Sequence, residues 1–100
     1  MIGARQLAMM KPTACLVNLA RGELVDQAAL VGVLRRRRIA GAALDVFEHE
    51  PLPAGDPLVG LDNVILTPHW TASTSDVWRA TAQAMAAGML RVARGNVPDK

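Results

Sequence analysis

Ala14-Cys15-Leu16-Val17-Asn18-Leu19 and Ala40-Gly41-Ala42-Ala43-Leu44-Asp45-Val46 are two short apolar runs with a helical pattern between them. Neither run alternates apolar with polar residues, which is the pattern of a strand buried on both faces, as in parallel sheets. In the intervening segment Asp26 is placed to cap a helix, and Leu30, Val33 and Leu34 fall at i, i+3 and i+4 on one face. Arg35 to Arg38 close its last turn, where cations suit the negative end of the helix dipole. Strand, helix and strand within about 30 residues predict a right-handed parallel crossover. Cys15 then reads as a small core residue rather than a nucleophile.

Upstream, Ile2 to Met10 reads as a helix that ends before Lys11-Pro12, because proline disfavours helix in the residue before it. Downstream, Phe47 to Asp62 contains three prolines and two glycines (Pro51, Pro53, Pro57, Gly55 and Gly60) and reads as a long loop, of a length that is usually functional or a linker. Asn63 to Thr67 is a third short strand, stopped by Pro68. A long helix follows, from Ser73 to Arg94, with Ser73-x-x-Asp76 as a capping box and Gly95 just past its end. Its apolar stripe runs through Val77, Thr81, Met85, Met89 and Val92, with Trp78 suited to an interdomain contact. Gly88 costs that helix about 1 kcal/mol relative to alanine unless another backbone approaches it.

Composition limits the function classes. The chain has 100 residues, 51% of them hydrophobic, which is too apolar for disorder. Its longest uncharged apolar runs fall far short of the ~20 residues of a membrane span, and no signal peptide opens it. A single cysteine excludes an internal disulfide and a cysteine-based zinc site, and fits a cytoplasmic protein. The net charge of +2 gives no support to a nucleic-acid partner, and Arg35 to Arg38 read as a solvated helix end.

In open parallel sheets, ligands bind beyond the carboxyl ends of the strands. The three strands run out into Asn18-Leu19-Ala20-Arg21-Gly22, Asp45 with Glu48-His49-Glu50, and Thr67-Pro68-His69. An arginine, several carboxylates and a histidine thus converge on one sheet edge. Arginine grips carboxylates with two prongs, and histidine exchanges a proton near neutral pH. A plain ion pair between Arg21 and Asp45 accounts for those two residues equally well. Glu48-His49-Glu50 lacks the further ligands a metal needs, so no metal is expected, and His49 reads as solvated.

These segments also carry a resemblance. Asn18-x-Ala20-Arg21-Gly22-x-x-Val25-Asp26, Gly41-Ala42-Ala43-Leu44-Asp45-Val46-Phe47-Glu48-x-Glu50-Pro51 and Asn63-Val64-Ile65-Leu66-Thr67-Pro68-His69 closely resemble the D-isomer-specific 2-hydroxyacid dehydrogenases. The resemblance implies an α/β fold: the second half of a Rossmann-like domain, a three-layer parallel sheet fragment of about three strands with flanking helices. It implies NAD as cofactor, NADP not being excluded, and a small 2-keto or 2-hydroxy acid as substrate. Arg21 then grips the substrate's carboxylate and carbonyl oxygen. His69 is the general acid, and Glu50 is the carboxylate partner that favours its imidazolium form. Asp45 fixes the nicotinamide carboxamide, and Leu19, Ala20, Arg21, His69, Trp70 and Thr71 line the cofactor pocket. Trp70-Thr71-Ala72 departs from the small glycine-containing turn that the family often has there, which bears on substrate size.

No Gly-x-Gly-x-x-Gly occurs, so the pyrophosphate loop of such a domain is missing, as is its ribose-reading acid. The expected organisation is residues 1–72 as the second half of the nucleotide-binding domain, and 73–100 as a helix and tail returning toward a substrate domain. The chain reads as a fragment, inactive alone, with a homodimer left open. Two rivals stand beside the enzyme: a non-catalytic NAD-sensing or interaction module, and a truncated gene product with an exposed strand edge.

Overall fold

The computed structural model describes residues 1–95. Three strands, β1 (Cys15–Asn18), β2 (Gly41–Leu44) and β3 (Val64–Leu66), form one sheet in the order β1-β2-β3. Both pairings are parallel, with Leu16 beside Ala42 and Ala42 beside Val64. Parallel neighbours cannot be joined by a tight turn. Helix α2 (Gln27–Arg35) makes the first crossover, and the 45–63 loop, which contains a 3₁₀ turn at Pro57–Gly60, makes the second.

The expected crossover helix forms with the expected cap: Asp26 Oδ1 accepts from the Ala29 N–H at 2.9 Å. Leu30, Val33 and Leu34 are buried together with Val31. They join Leu16, Leu44, Phe47 and Leu58 in one core on a single face of the sheet. Helix α1 (Ala4–Ala8) adds Leu7 to that core and is shorter than expected. Ile2 is extended instead of helical, because it pairs with Val25 through bonds to Leu24 O and from Asp26 N.

Burial of β1 on both faces is not what forms. Leu16 and Asn18 are buried, whereas Cys15 and Val17 face outward, Val17 at 63% exposure. Cys15 is therefore an exposed thiol and not a core residue. Ile65 of β3 lies bare in the same register row as Val17. The uninterrupted apolar run anticipates cover on two faces, but among the described residues α1 and α2 cover only one. The second helical layer of the expected three-layer arrangement is not among them.

Helix α3 (Ser75–Ala93) begins later than expected, and Thr74 caps it in place of Ser73: Thr74 Oγ1 accepts from Val77 N at 3.3 Å. Gly95, at φ +80°, takes the left-handed conformation expected just past the helix end. None of the α3 residues is buried, so the stripe through Val77, Met85, Met89 and Val92 stands in solvent, as does Trp78. Residues 96–100 of the expected tail lie outside the described residues. At the far end of α2, Arg37 forms an exposed ion pair with Asp62 at 2.7 Å.

Candidate active site

All three sheet-end segments meet at the carboxyl edge of the strands. The first is shaped by Asn18, whose side chain closes the turn: Nδ2 donates to Arg21 O at 2.8 Å, and Oδ1 accepts from Ala20 N at 3.2 Å. Its backbone carbonyl accepts from Asp45 N at 3.0 Å, tying this turn to the end of β2. The next constraint is Gly22. A Cβ there would sit 1.9 Å from Phe47 O, so only glycine lets this turn lie on the Phe47–Glu48 backbone. That close approach brings Arg21 to the loop bearing Glu50.

Glu50 is held at both oxygens. Oε1 accepts from Phe47 N at 3.0 Å, and Oε2 pairs with His69 Nδ1 at 2.8 Å. The His69 bond, then the Phe47 amide, hold the Glu50 carboxyl below the usual carboxylate range, against the opposing effect of burial. With Nδ1 given to the carboxylate, Nε2 is the imidazole nitrogen left to exchange a proton. Arg21, Gly22, Glu48, Glu50 and His69 line a common hollow of about 210 Å³. Glu50 and His69 also border a largely apolar hollow of about 300 Å³, walled by Phe47, Pro51, Leu52, Leu66 and Pro68.

His69 sits in the left-handed region at φ 57°, uncommon for a residue with a side chain. Asp45 supplies the compensation. It is 1% exposed, and it accepts from the Thr67 hydroxyl at 2.5 Å, Trp70 N at 3.0 Å and Thr71 N at 3.0 Å. Burial pushes its carboxyl up, but the bonds from Thr67, Thr71 and Trp70 outweigh this and leave it well below the usual range. Asp45 is thus bonded to the turn that presents His69. It makes no ion pair with Arg21, whose Nη1 donates instead to Ala20 O at 2.7 Å.

The expected residues therefore separate into three groups. Arg21, Glu50 and His69 come together around one hollow. Asp45, Trp70 and Thr71 form the anchor of the histidine turn, with the Trp70 indole exposed. Leu19 and Ala20 open onto a separate, mainly apolar hollow of about 510 Å³, shared with Val17, Asn18 and Leu24. His49 is exposed. Sequence reasoning did not assign positioning roles to Asn18, Gly22 or Thr67. Asn18 carried a signal, a polar residue ending an apolar strand, while the need for Gly22 arises only from a contact 25 residues away.

The family described as D-isomer specific 2-hydroxyacid dehydrogenase, NAD binding domain, matches residues 1–71. The chain belongs to that family. It is 47% identical over 98 residues to a glyoxylate reductase of Korarchaeum cryptofilum, a match covering 98% of this chain and 30% of the relative. A D-isomer specific 2-hydroxyacid dehydrogenase from Lactobacillus delbrueckii ssp. bulgaricus, solved in an NAD-complexed form, has a TM-score of 0.82 at 37% identity, covering 98% of this chain and 34% of that one. One from Xanthobacter autotrophicus Py2, in complex with NADPH and MES, has a TM-score of 0.80 at 43% identity, covering 93% of this chain and 38% of that one. The chain thus spans roughly a third of these relatives' length. Its three-stranded parallel sheet with flanking helices is Rossmann-like.

The hollow beside Leu19 and Ala20 is mainly apolar and extends along β1 past Leu16 to Met1 and Ile2. Among the described residues no helix is long and apolar enough to cross a membrane.

Proposed function

We propose that the complete protein interconverts a 2-keto acid and a D-2-hydroxy acid with NADH or NADPH, and that this chain supplies the residues that handle the substrate. The observation that carries the reading is the Glu50–His69 pair, 2.8 Å apart, sharing one hollow with Arg21. When bound, the cofactor supplies the hydride. Arg21 pairs with the substrate carboxylate and keto oxygen, which orients the carbonyl and draws charge toward its oxygen. His69 Nε2 delivers a proton to that oxygen as the carbon receives the hydride, so the C=O becomes a CH–OH. In the oxidative direction the same nitrogen takes the hydroxyl proton. Glu50 holds Nδ1, fixes the ring orientation and stabilises the imidazolium.

Asp45 keeps His69 aimed through Trp70 and Thr71, and these three with Leu19, Ala20 and Arg21 edge the nicotinamide end of the cofactor site. Residues 1–72 act as the second half of the nucleotide-binding domain and 73–100 lead back toward the substrate domain. A cytoplasmic location suits an exposed free thiol.

The test is NADH and NADPH oxidation by the complete protein with glyoxylate first, then larger 2-keto acids. Glyoxylate leads because the relative at 47% identity carries that name. Replacing His69 by Ala is expected to lower kcat by about 10²–10⁴-fold, the range of general acid catalysis. Glu50→Gln, which removes the negative charge beside the imidazole, is expected to move the alkaline limb of the reductase profile to lower pH. A complete protein that binds NADH but oxidises it with no 2-keto acid would refute the enzyme reading and leave an NAD-binding module.

A further inference from the structure

Gln27, the first residue of α2, makes a set of bonds that none of the roles above uses. Its backbone N–H donates to Glu48 Oε1 at 3.0 Å, and its side-chain Oε1 accepts from Glu48 N–H at 3.2 Å. Its Nε2 donates to Asp56 Oδ2 at 2.9 Å. Asp56 is itself fixed, since Oδ1 accepts from Leu58 N at 2.8 Å at the start of the 3₁₀ turn. One side chain therefore grips both flanks of residues 48–56, the loop that carries Glu50.

The position is chemically exacting. The side chain must accept from one backbone N–H and donate to one carboxylate while lying beside two, Glu48 and Asp56. A carboxylate here would repel both neighbours, and an ammonium has no lone pair to offer Glu48 N–H. A neutral amide meets every requirement. Gln27 is also half-buried at the foot of the core, beside Val25, Leu30 and Val46, so its own placement is set by packing.

We propose that Gln27 is a positioning residue for the reaction: by pinning Glu48 and Asp56 to the start of α2, it holds Glu50 in register with His69 Nδ1. Its catalytic meaning rests on the dehydrogenase reading, but the geometry it describes exists without turnover. The test is chosen accordingly. In the full chain, the His69 Nδ1 proton bonded to Glu50 is expected to give a low-field proton NMR signal whose exchange with water is timed. Glu50→Gln is expected to remove or displace that signal, which assigns it.

Gln27→Met removes both side-chain hydrogen bonds and is expected to speed that signal's exchange by roughly tenfold or more, with amide exchange at Leu44 in the core unchanged. Asp56→Asn sets an N–H against Gln27 Nε2 and is expected to speed exchange as well. A wild-type chain lacking the signal, or an unchanged rate in Gln27→Met or in Asp56→Asn, would overturn the proposal. Absence of NADH-linked turnover in the complete protein would overturn the dehydrogenase reading, while the exchange rates still decide the role of Gln27.

Discussion

Helices α2 and α3 carry similar sequence signals and meet opposite fates. Each has a side-chain cap and an apolar stripe at helical spacing. In α2 the stripe is buried, with Leu30 and Leu34 each 1% exposed. In α3 the stripe is open to solvent, with Met85 at 58% and Met89 at 63%. Periodicity tells which face of a helix is apolar and says nothing about what that face meets. The α2 stripe meets a sheet built by residues within about 20 positions on either side, so local chain geometry delivers its partner. No described residue covers the α3 stripe, so its contribution to stability is close to that of an isolated helix.

The comparison breaks most visibly in stability. Leu34→Ala empties a fully buried site and is expected to cost about 2–5 kcal/mol, whereas Met85→Ala in α3 should change the chain's stability by less than about 0.5 kcal/mol. Urea unfolding of the two variants side by side measures the contrast. Comparable losses would mean that α3 is packed in solution.

A second expectation concerns pH and the anchor of the packed half. Asp45 and Glu50 both have carboxyls lowered by folding. Their contribution to stability is complete above the ordinary carboxylate range and is lost as pH falls through the lowered folded values. Unfolding midpoints should therefore decline from about pH 5 downward. Asp45→Asn should be less stable at neutral pH and show a shallower acid decline. An equally steep decline in that variant would show that Asp45 does not titrate with folding.

The smallest effect sharpens the contrast. A Cβ at Gly88 meets nothing within 4 Å, so Gly88→Ala is expected to strengthen α3 by about 1 kcal/mol of helix propensity. Circular dichroism of the chain should show increased helix. If the same substitution destabilises the complete protein, another element there approaches α3 at Gly88, and the stripe has found its partner.

Several features of the fold and site were legible in the chain because they are local. Asp26 caps α2 through a bond three residues away, and the apolar runs mark the three strands. Arg21, His69 and several carboxylates were legible together because strand ends in a parallel sheet share an edge, and the resemblance singled out Glu50 among those carboxylates. Local signals also misled where two readings lie within a residue or two. Ser73 and Thr74 are equivalent caps by type, and the backbone entering α3 selects Thr74. An apolar run reads as buried on both faces whether or not a second layer exists, which is why Cys15 and Val17 were misplaced.

The amino-acid sequence by itself determined the strand–helix–strand order, the core face of α2 and the family's three motif segments, because each depends on residue type and near spacing. Only the tertiary structure decided that Asp45 serves the His69 turn and not Arg21. The same holds for Gly22, which must be glycine because Phe47 O occupies the space of its Cβ, and for Gln27, which clamps the Glu50 loop. Those choices turn on ångström distances between residues more than 20 positions apart, set only once the core has closed and placed the three strand ends side by side.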